Sequence, residues 1–188
     1  MAARRGRRCG VAGDTSTPSP PAEADEPGDP ESLARAIVLR QLAMAARTRS
    51  QLAQAMARRA VPEDVAERVL DRFTELGLVD DAEYARQWVT SRQQVKGLAP
   101  RALAQELRRR GVADELVRDA VSVVRPEDEV AAATRLVERR WVEGEDEQRQ
   151  VRRLTAMLAR RGYSASVAMR AIRERAASSE DESWDVDD

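Results

Sequence analysis

Residues 100–112 read P-R-A-L-A-Q-E-L-R-R-R-G-V, and the same outline returns 51 residues earlier and 51 residues later. The earlier copy is R-S-Q-L-A-Q-A-M-A-R-R-A-V (49–61) and the later one V-R-R-L-T-A-M-L-A-R-R-G-Y (151–163). Leu52, Leu103 and Leu154 fall in register, as do Met56, Leu107 and Leu158. Within each copy the two residues stand at i and i+4, hence on one face of a helix. The register continues through Arg58–Arg59, Arg109–Arg110 and Arg160–Arg161, then through Ala60, Gly111 and Gly162. Further on, Val65, Leu116 and Val167 align, then Val69, Ala120 and Ala171, outlining a second helix after a short turn. So many positions at one offset mark duplication.

The punctuation predicts where these helices begin and end. Gly111 and Gly162 suit a helix end that needs positive φ. Ala60 interrupts that pattern, so the first copy is expected to end its helix differently. Pro62 and Pro100 are predicted at first helical positions, where a missing N–H costs nothing. Thr48, aligned with Ala99, is a predicted N-cap with Gln51 three residues on. A further helix precedes each pair. One opens at Pro30 and runs through Leu33, Ile37, Val38 and Leu42. The next opens at Asp80, with Glu83 completing a capping-box-like pattern, and runs through Tyr84, Ala85, Trp88 and Val89. The third opens at Pro126 and runs through Val130, Ala133, Leu136 and Val137. This last helix leaves the register because a longer loop, with Glu143, Glu145, Asp146 and Glu147, follows Trp141.

No strand pattern occurs. The expected fold is all-α, an elongated, curved array of three tandem three-helix units resembling helix-turn-helix modules. The units span 30–78, 79–125 and 126–177, and each is too small to bury much alone. Residues 1–29, basic and then acidic, and the acidic residues 178–188 lack apolar periodicity and read as disordered.

Composition narrows the function classes. Charged residues make up 35% of the 188, aromatics 3%, and mean hydropathy is -0.59. The net charge of -1 conceals segregation. Arg4, Arg5, Arg7 and Arg8 open the chain, followed by the acids Asp14, Glu23, Asp25, Glu26, Asp29 and Glu31. Six more acids close it: Glu180, Asp181, Glu182, Asp185, Asp187 and Asp188. The middle keeps 28 bases and 21 acids, about +7, a mild attraction for anionic partners that salt partly screens. No apolar run approaches the ~18 residues of a membrane span, and no apolar stretch follows the basic start as a secretory signal requires. Cys9 is the only cysteine, which excludes a disulfide framework and fits a reducing cytoplasm. There is no histidine, so a histidine base or metal ligand is excluded. Lys96, the only lysine, precedes its glycine, so a P-loop is excluded too. The pairs Glu63–Asp64, Asp80–Asp81 and Asp114–Glu115 fall in predicted first turns, where carboxylates complement the helix dipole. Neither catalysis nor a metal or other cofactor is expected.

Residues 76–92 read L-G-L-V-D-D-A-E-Y-A-R-Q-W-V-T-S-R, and 96–112 read K-G-L-A-P-R-A-L-A-Q-E-L-R-R-R-G-V. This block resembles the RecX family, regulators of the bacterial recombinase RecA. The likeness is carried by Gly77–Leu78, Asp80–Asp81, Tyr84–Ala85, Trp88–Val89, Ser91–Arg92, Lys96–Gly97, Pro100, Leu103, Leu107 and Gly111. Leu42, Arg47, Ser50 and Leu52 add the family's opening pattern. The likeness covers about Ala34 to Ala177, and Ala60 departs from it. It implies a three-times-repeated three-helix fold that binds along the groove of the RecA filament on single-stranded DNA. It further implies inhibition of ATPase, strand exchange and co-protease activity, by blocking filament growth or promoting disassembly.

A rod of similar units facing repeated protomers turns several modest contacts into avidity. Candidate contacts are Arg86, Arg92 and Lys96 within the block, and Arg58, Arg59, Arg108, Arg109, Arg110, Arg160 and Arg161 at the ends of the second helices. The same arginines also complement helix C-termini. Tyr84 and Trp88 read as core; Leu52, Leu103, Leu154, Asp81, Gly97, Gly111 and Gly162 read as structural. Trp141 stands open between core and contact. Trp184 belongs either to an inert tail or to one that folds back on the basic body. Two other readings remain. One is weak direct binding of single-stranded DNA, without an aromatic stacking platform. The other is a passive helical scaffold. A monomer without membrane attachment is expected.

Overall fold

The computed structural model describes residues 29–181; Arg4, Arg5, Arg7, Arg8, Cys9 and Trp184 lie outside them. Among the described residues there are nine α-helices and no strand. The first unit holds α1 (Pro30–Met44), α2 (Arg49–Ala57) and α3 (Glu63–Glu75). The second holds α4 (Asp81–Lys96), α5 (Pro100–Arg109) and α6 (Asp114–Ser122). The third holds α7 (Pro126–Glu138), α8 (Glu147–Arg160) and α9 (Ala165–Asp181).

The helix starts follow local chemistry with a few departures. Thr48 and Gln51 form the full reciprocal capping box on α2, and Pro30, Pro100 and Pro126 are the first residues of α1, α5 and α7. Pro62 is the N-cap of α3 rather than its first helical residue, because its ψ of 141° is still extended. Asp80 caps α4 by accepting the Glu83 N–H at 2.8 Å. The Glu83 carboxylate turns instead to Arg86 and Gln87, so the second half of that box is not formed. Asp29, assigned by composition to the extension, caps α1 by accepting from the N–H groups of Glu31 and Ser32. At the other end α9 continues to Asp181, four residues past the expected limit at Ala177. Part of the spare loop before α8 becomes helix: α8 starts at Glu147, capped by Asp146.

Three apolar clusters form, one centred on each unit, with Val79 of the second unit joining the first cluster and Ala99 the third, and every extensive helix–helix contact stays inside a unit. The residues in register, Leu52, Met56, Leu103, Leu107, Leu154 and Leu158, are all fully buried. At roughly 1.5–3 kcal/mol for burying one such side chain, they anchor each cluster on its second helix.

The units meet at narrow joints built twice from one plan. In the first joint the Thr48 hydroxyl donates to the Arg110 carbonyl at 2.6 Å. In the second, the Ala99 N–H donates to the Arg161 carbonyl at 3.0 Å. The donors and the acceptors are each 51 residues apart. The Thr48 N–H is already engaged by Gln51, so its hydroxyl takes over; Ala99 has no side-chain donor, so its backbone serves. In both joints the acceptor immediately precedes a glycine in the left-handed region, Gly111 at φ 77° and Gly162 at φ 89°. A Cβ on Gly111 would stand 2.3 Å from Ser50 Cβ, and one on Gly162 2.7 Å from Ala102 Cβ and 2.8 Å from its backbone nitrogen. These glycines therefore answer to close approach between units as well as to φ.

Ala60 corrects the expectation placed on it. It adopts φ 56°, and its hydrogen bonds repeat those of the glycine turns: Ala60 N–H to Ala57, and Val61 N–H to Met56. The first unit ends its second helix in the same way as the others. Among the described residues no unit stands before this one, and Ala60 is exposed. Exposed, it carries the conformational cost of the left-handed turn without a joint to form.

Two further contacts lock the joints. The Arg49 N–H donates to Asp81 Oδ1 at 2.8 Å, and the Tyr163 hydroxyl donates to the Gly97 carbonyl at 3.1 Å. Burial, with Glu129 nearby, pushes the Tyr163 hydroxyl up to about 12, so it stays a donor at any ordinary pH. Burial likewise raises the Asp81 carboxyl above its usual value, against the opposing pull of the Arg49 N–H and charge.

Substitutions separate these effects. Ala60→Gly is expected to stabilise the protein by ~1 kcal/mol by relieving left-handed alanine. Gly111→Ala and Gly162→Ala should each cost more than ~2 kcal/mol, since strain and steric conflict add. Urea unfolding of the three variants checks the order. For Asp81, alanine removes an acceptor and should cost about 1–2 kcal/mol, whereas Asp81→Asn keeps it and should cost less than half of that. Because the folded-state pKa is raised, stability tied to Asp81 is full below its unfolded pKa and is lost as pH rises through the folded one. The stability of the parent relative to Asp81→Asn should therefore fall between about pH 4 and pH 7, which unfolding at both pH values measures.

Candidate functional site

The ends of α2, α5 and α8 each present adjacent arginines, and neighbours on a helix point about 100° apart. One register position faces outward in all three units. Arg58, Arg109 and Arg160 are exposed and have no ion pair among the described residues. At the next position the units differ. In the first unit Arg59 is exposed as well, and it lines one groove together with Arg58, Leu33, Arg40 and Met44. Arg110 and Arg161 turn into the structure. The Arg110 guanidinium lies 3.6 Å from the Trp88 ring centroid and donates to the Tyr84 hydroxyl at 3.0 Å. Arg161 Nε donates to the Lys96 carbonyl at 3.2 Å.

Several other candidates are engaged within their own unit. Arg92 lies 4.0 Å from the Trp88 ring centroid and 3.6 Å from Glu106. Glu106 in turn accepts the indole N–H of Trp88 at 2.9 Å, and Tyr84 stacks on Trp88 at 5.9 Å. This network ties α4 to α5, with each cation–π contact contributing about 0.5–2 kcal/mol. Tyr84 is buried and Trp88 half-buried, both packed in the second cluster. Arg108 pairs with Asp114 at 2.6 Å and Arg86 with Glu83 at 2.8 Å. The Asp114 carboxyl is held below its usual range by the Arg108 hydrogen bond, and that of Glu83 by Gln87 and Arg86. Trp141 joins the third cluster half-buried, with Arg175 at 5.4 Å.

The second joint brings together a charged surface that the repeat register does not show. Lys96 from the end of α4 and Arg161 from the end of α8 face Arg135, Arg139 and Arg140 at the end of α7, around a cleft of about 440 Å³. No carboxylate lines it, and Gln93 and Gln94 add amide groups. None of the five bases has an ion pair among the described residues. Arg135 and Arg139 stand at i and i+4, and that spacing was the available signal. It falls on the one helix outside the 51-residue register, so alignment of the copies passes over it. A concave, acid-free cluster of bases focuses positive potential and favours anionic ligands. Among the described residues no helix is long and apolar enough to cross a membrane.

Comparison with known proteins gives a consistent result. Models of the first, second and third three-helix domains of RecX match residues 34–73, 80–121 and 127–172 respectively. The chain is 52% identical over 157 residues to the regulatory protein RecX of Thermobifida fusca, covering 82% of this chain and 85% of that one. It is 46% identical over 164 residues to the regulatory protein RecX of Streptomyces coelicolor, covering 86% and 87%. The crystal structure of RecX from Lactobacillus salivarius superposes with a TM-score of 0.71 at 20% identity, over 78% of this chain and 96% of that one; at that identity the likeness speaks for the fold alone. With all three domains matched in order along the chain, this protein belongs to the RecX family of regulatory proteins.

Proposed function

We propose that this protein is a non-catalytic negative regulator of RecA. It binds along the groove of the RecA filament on single-stranded DNA. There it inhibits ATPase, strand exchange and co-protease activity by blocking filament growth or promoting disassembly. The observation that carries this reading is the outward arginine repeated at one register position, Arg58, Arg109 and Arg160, free of ion pairs in all three units. A filament displays the same surface at each protomer, and an array displaying the same cation in each unit can engage several at once. Linkage then raises overall affinity by orders of magnitude over any single contact. The protein acts as a monomer in the cytoplasm.

The acid-free cleft at the second joint favours a second reading, direct competition for single-stranded DNA through phosphate contacts whose strength falls steeply with salt. The two differ in stoichiometry. RecA's DNA-dependent ATPase is measured while this protein is added well below the RecA concentration. Inhibition at that ratio is the expected result; inhibition only when the protein suffices to coat the DNA overturns the filament reading in favour of competition. The triple substitution of Arg58, Arg109 and Arg160 to Gln is expected to raise the half-inhibitory concentration at least tenfold with unchanged helical circular dichroism. A triple variant that inhibits as well as the parent removes these residues from the contact.

A further inference from the structure

The basic cleft at the second joint has an occupant available within the same chain. α9 runs parallel to α7. Ser166 and Arg170 lie beside the start of α7 with Glu129 and Val130. Thr134 then meets Glu174 at 3.1 Å, and Arg175 reaches Glu143, just past the end of α7, at 3.1 Å. The end of α9 is therefore delivered to the end of α7 that carries Arg135, Arg139 and Arg140. From Arg175 the helix rises about 9 Å to Asp181, and the seven residues beyond can extend up to about 24 Å. The segment from Glu180 to Asp188 holds six acids and no base, and the cleft holds five bases and no acid.

We propose that the C-terminal segment 180–188 docks in the cleft formed by Lys96, Arg135, Arg139, Arg140 and Arg161, and competes there with external anionic ligands. The short tether makes even a weak contact effective, because the local concentration of the segment is of millimolar order. Trp184, in the middle of the acids, supplies a ring for guanidinium stacking. The chain already uses that chemistry twice, at Trp88 with Arg92 and Arg110, and at Trp141 with Arg175. The inference takes the cleft as a working surface, as the competing single-stranded DNA reading does, and its test contains no RecA, so it and the filament reading can fail separately.

The test uses the full chain labelled with 5-fluorotryptophan, with Trp184→Phe assigning the Trp184 fluorine resonance. At low salt this resonance is expected away from its position in the free peptide 178–188. It should return to that position at about 1 M salt, where the screening length falls to about 3 Å, or on substituting Arg139→Gln with Arg140→Gln. A resonance at the free-peptide position under all conditions overturns the proposal. A second measurement follows binding of a fluorescent dT15 oligonucleotide. A full-length variant with Glu180, Asp181, Glu182, Asp185, Asp187 and Asp188 all converted to amides should bind about tenfold tighter than the parent at low salt. That gain should vanish when Arg139→Gln and Arg140→Gln are present in both proteins. A gain that persists in that background reflects net charge alone and overturns the proposal. So does a gain produced instead by neutralising the acids from Asp14 to Asp29.

Discussion

The molecule depends on one contact made twice: a carbonyl at the end of a second helix accepting a hydrogen bond from the start of the second helix in the unit before. Everything extensive lies within units, so these joints alone decide how one unit is placed on the next. The contact demands that two backbones approach closely. It therefore recruits a left-handed turn immediately after the accepting carbonyl, and a residue without Cβ at that turn. Gly111 and Gly162 satisfy both demands, while Ala60 satisfies the first and is spared the second. The constraint on sequence thus comes from the neighbour as much as from the turn itself.

The donors show how duplication tolerates divergence. Arg110 and Arg161 offer equivalent carbonyls, yet one receives a side-chain hydroxyl and the other a backbone N–H. What persists is the geometry of the acceptor. Around it each joint adds its own support, Asp81 in one and Tyr163 in the other. Asp81 does so at a cost, since its carboxylate is partly desolvated and only a backbone N–H and one nearby guanidinium offset that.

Much of this was legible in the sequence, for physical reasons that differ by feature. The buried face at Leu52, Leu103 and Leu154 was legible because helical spacing and duplication point to the same residues. Thr48 was legible as a cap because capping is a local interaction. Ala60 was misjudged because the turn was read by residue preference alone. Hydrogen bonds from Ala60 and Val61 back into α2 hold the left-handed form at a cost of only a kcal/mol or two. The division of the arginines was not legible. Arg109 and Arg110 are identical in sequence terms, and only the position of Trp88 on α4 turns one of them inward. The cleft around Arg139 was hidden because its residues come from three helices, one of which had slipped from the register.

That division bears on what duplication preserves. Two arginines side by side on a helix end point in directions about 100° apart, so one can turn inward, onto Trp88 in the second unit and across the joint to Lys96 in the third, while the other faces solvent. A single arginine could not do both. In the first unit both members of the pair, Arg58 and Arg59, stay exposed. Complementing a helix end does not account for Arg58, Arg109 and Arg160 all being without an ion pair among the described residues when Arg108, one residue away from Arg109, has one in Asp114. An outward cation without an ion pair at the same place in every unit is the feature on which the proposed binding to a repeated partner surface rests.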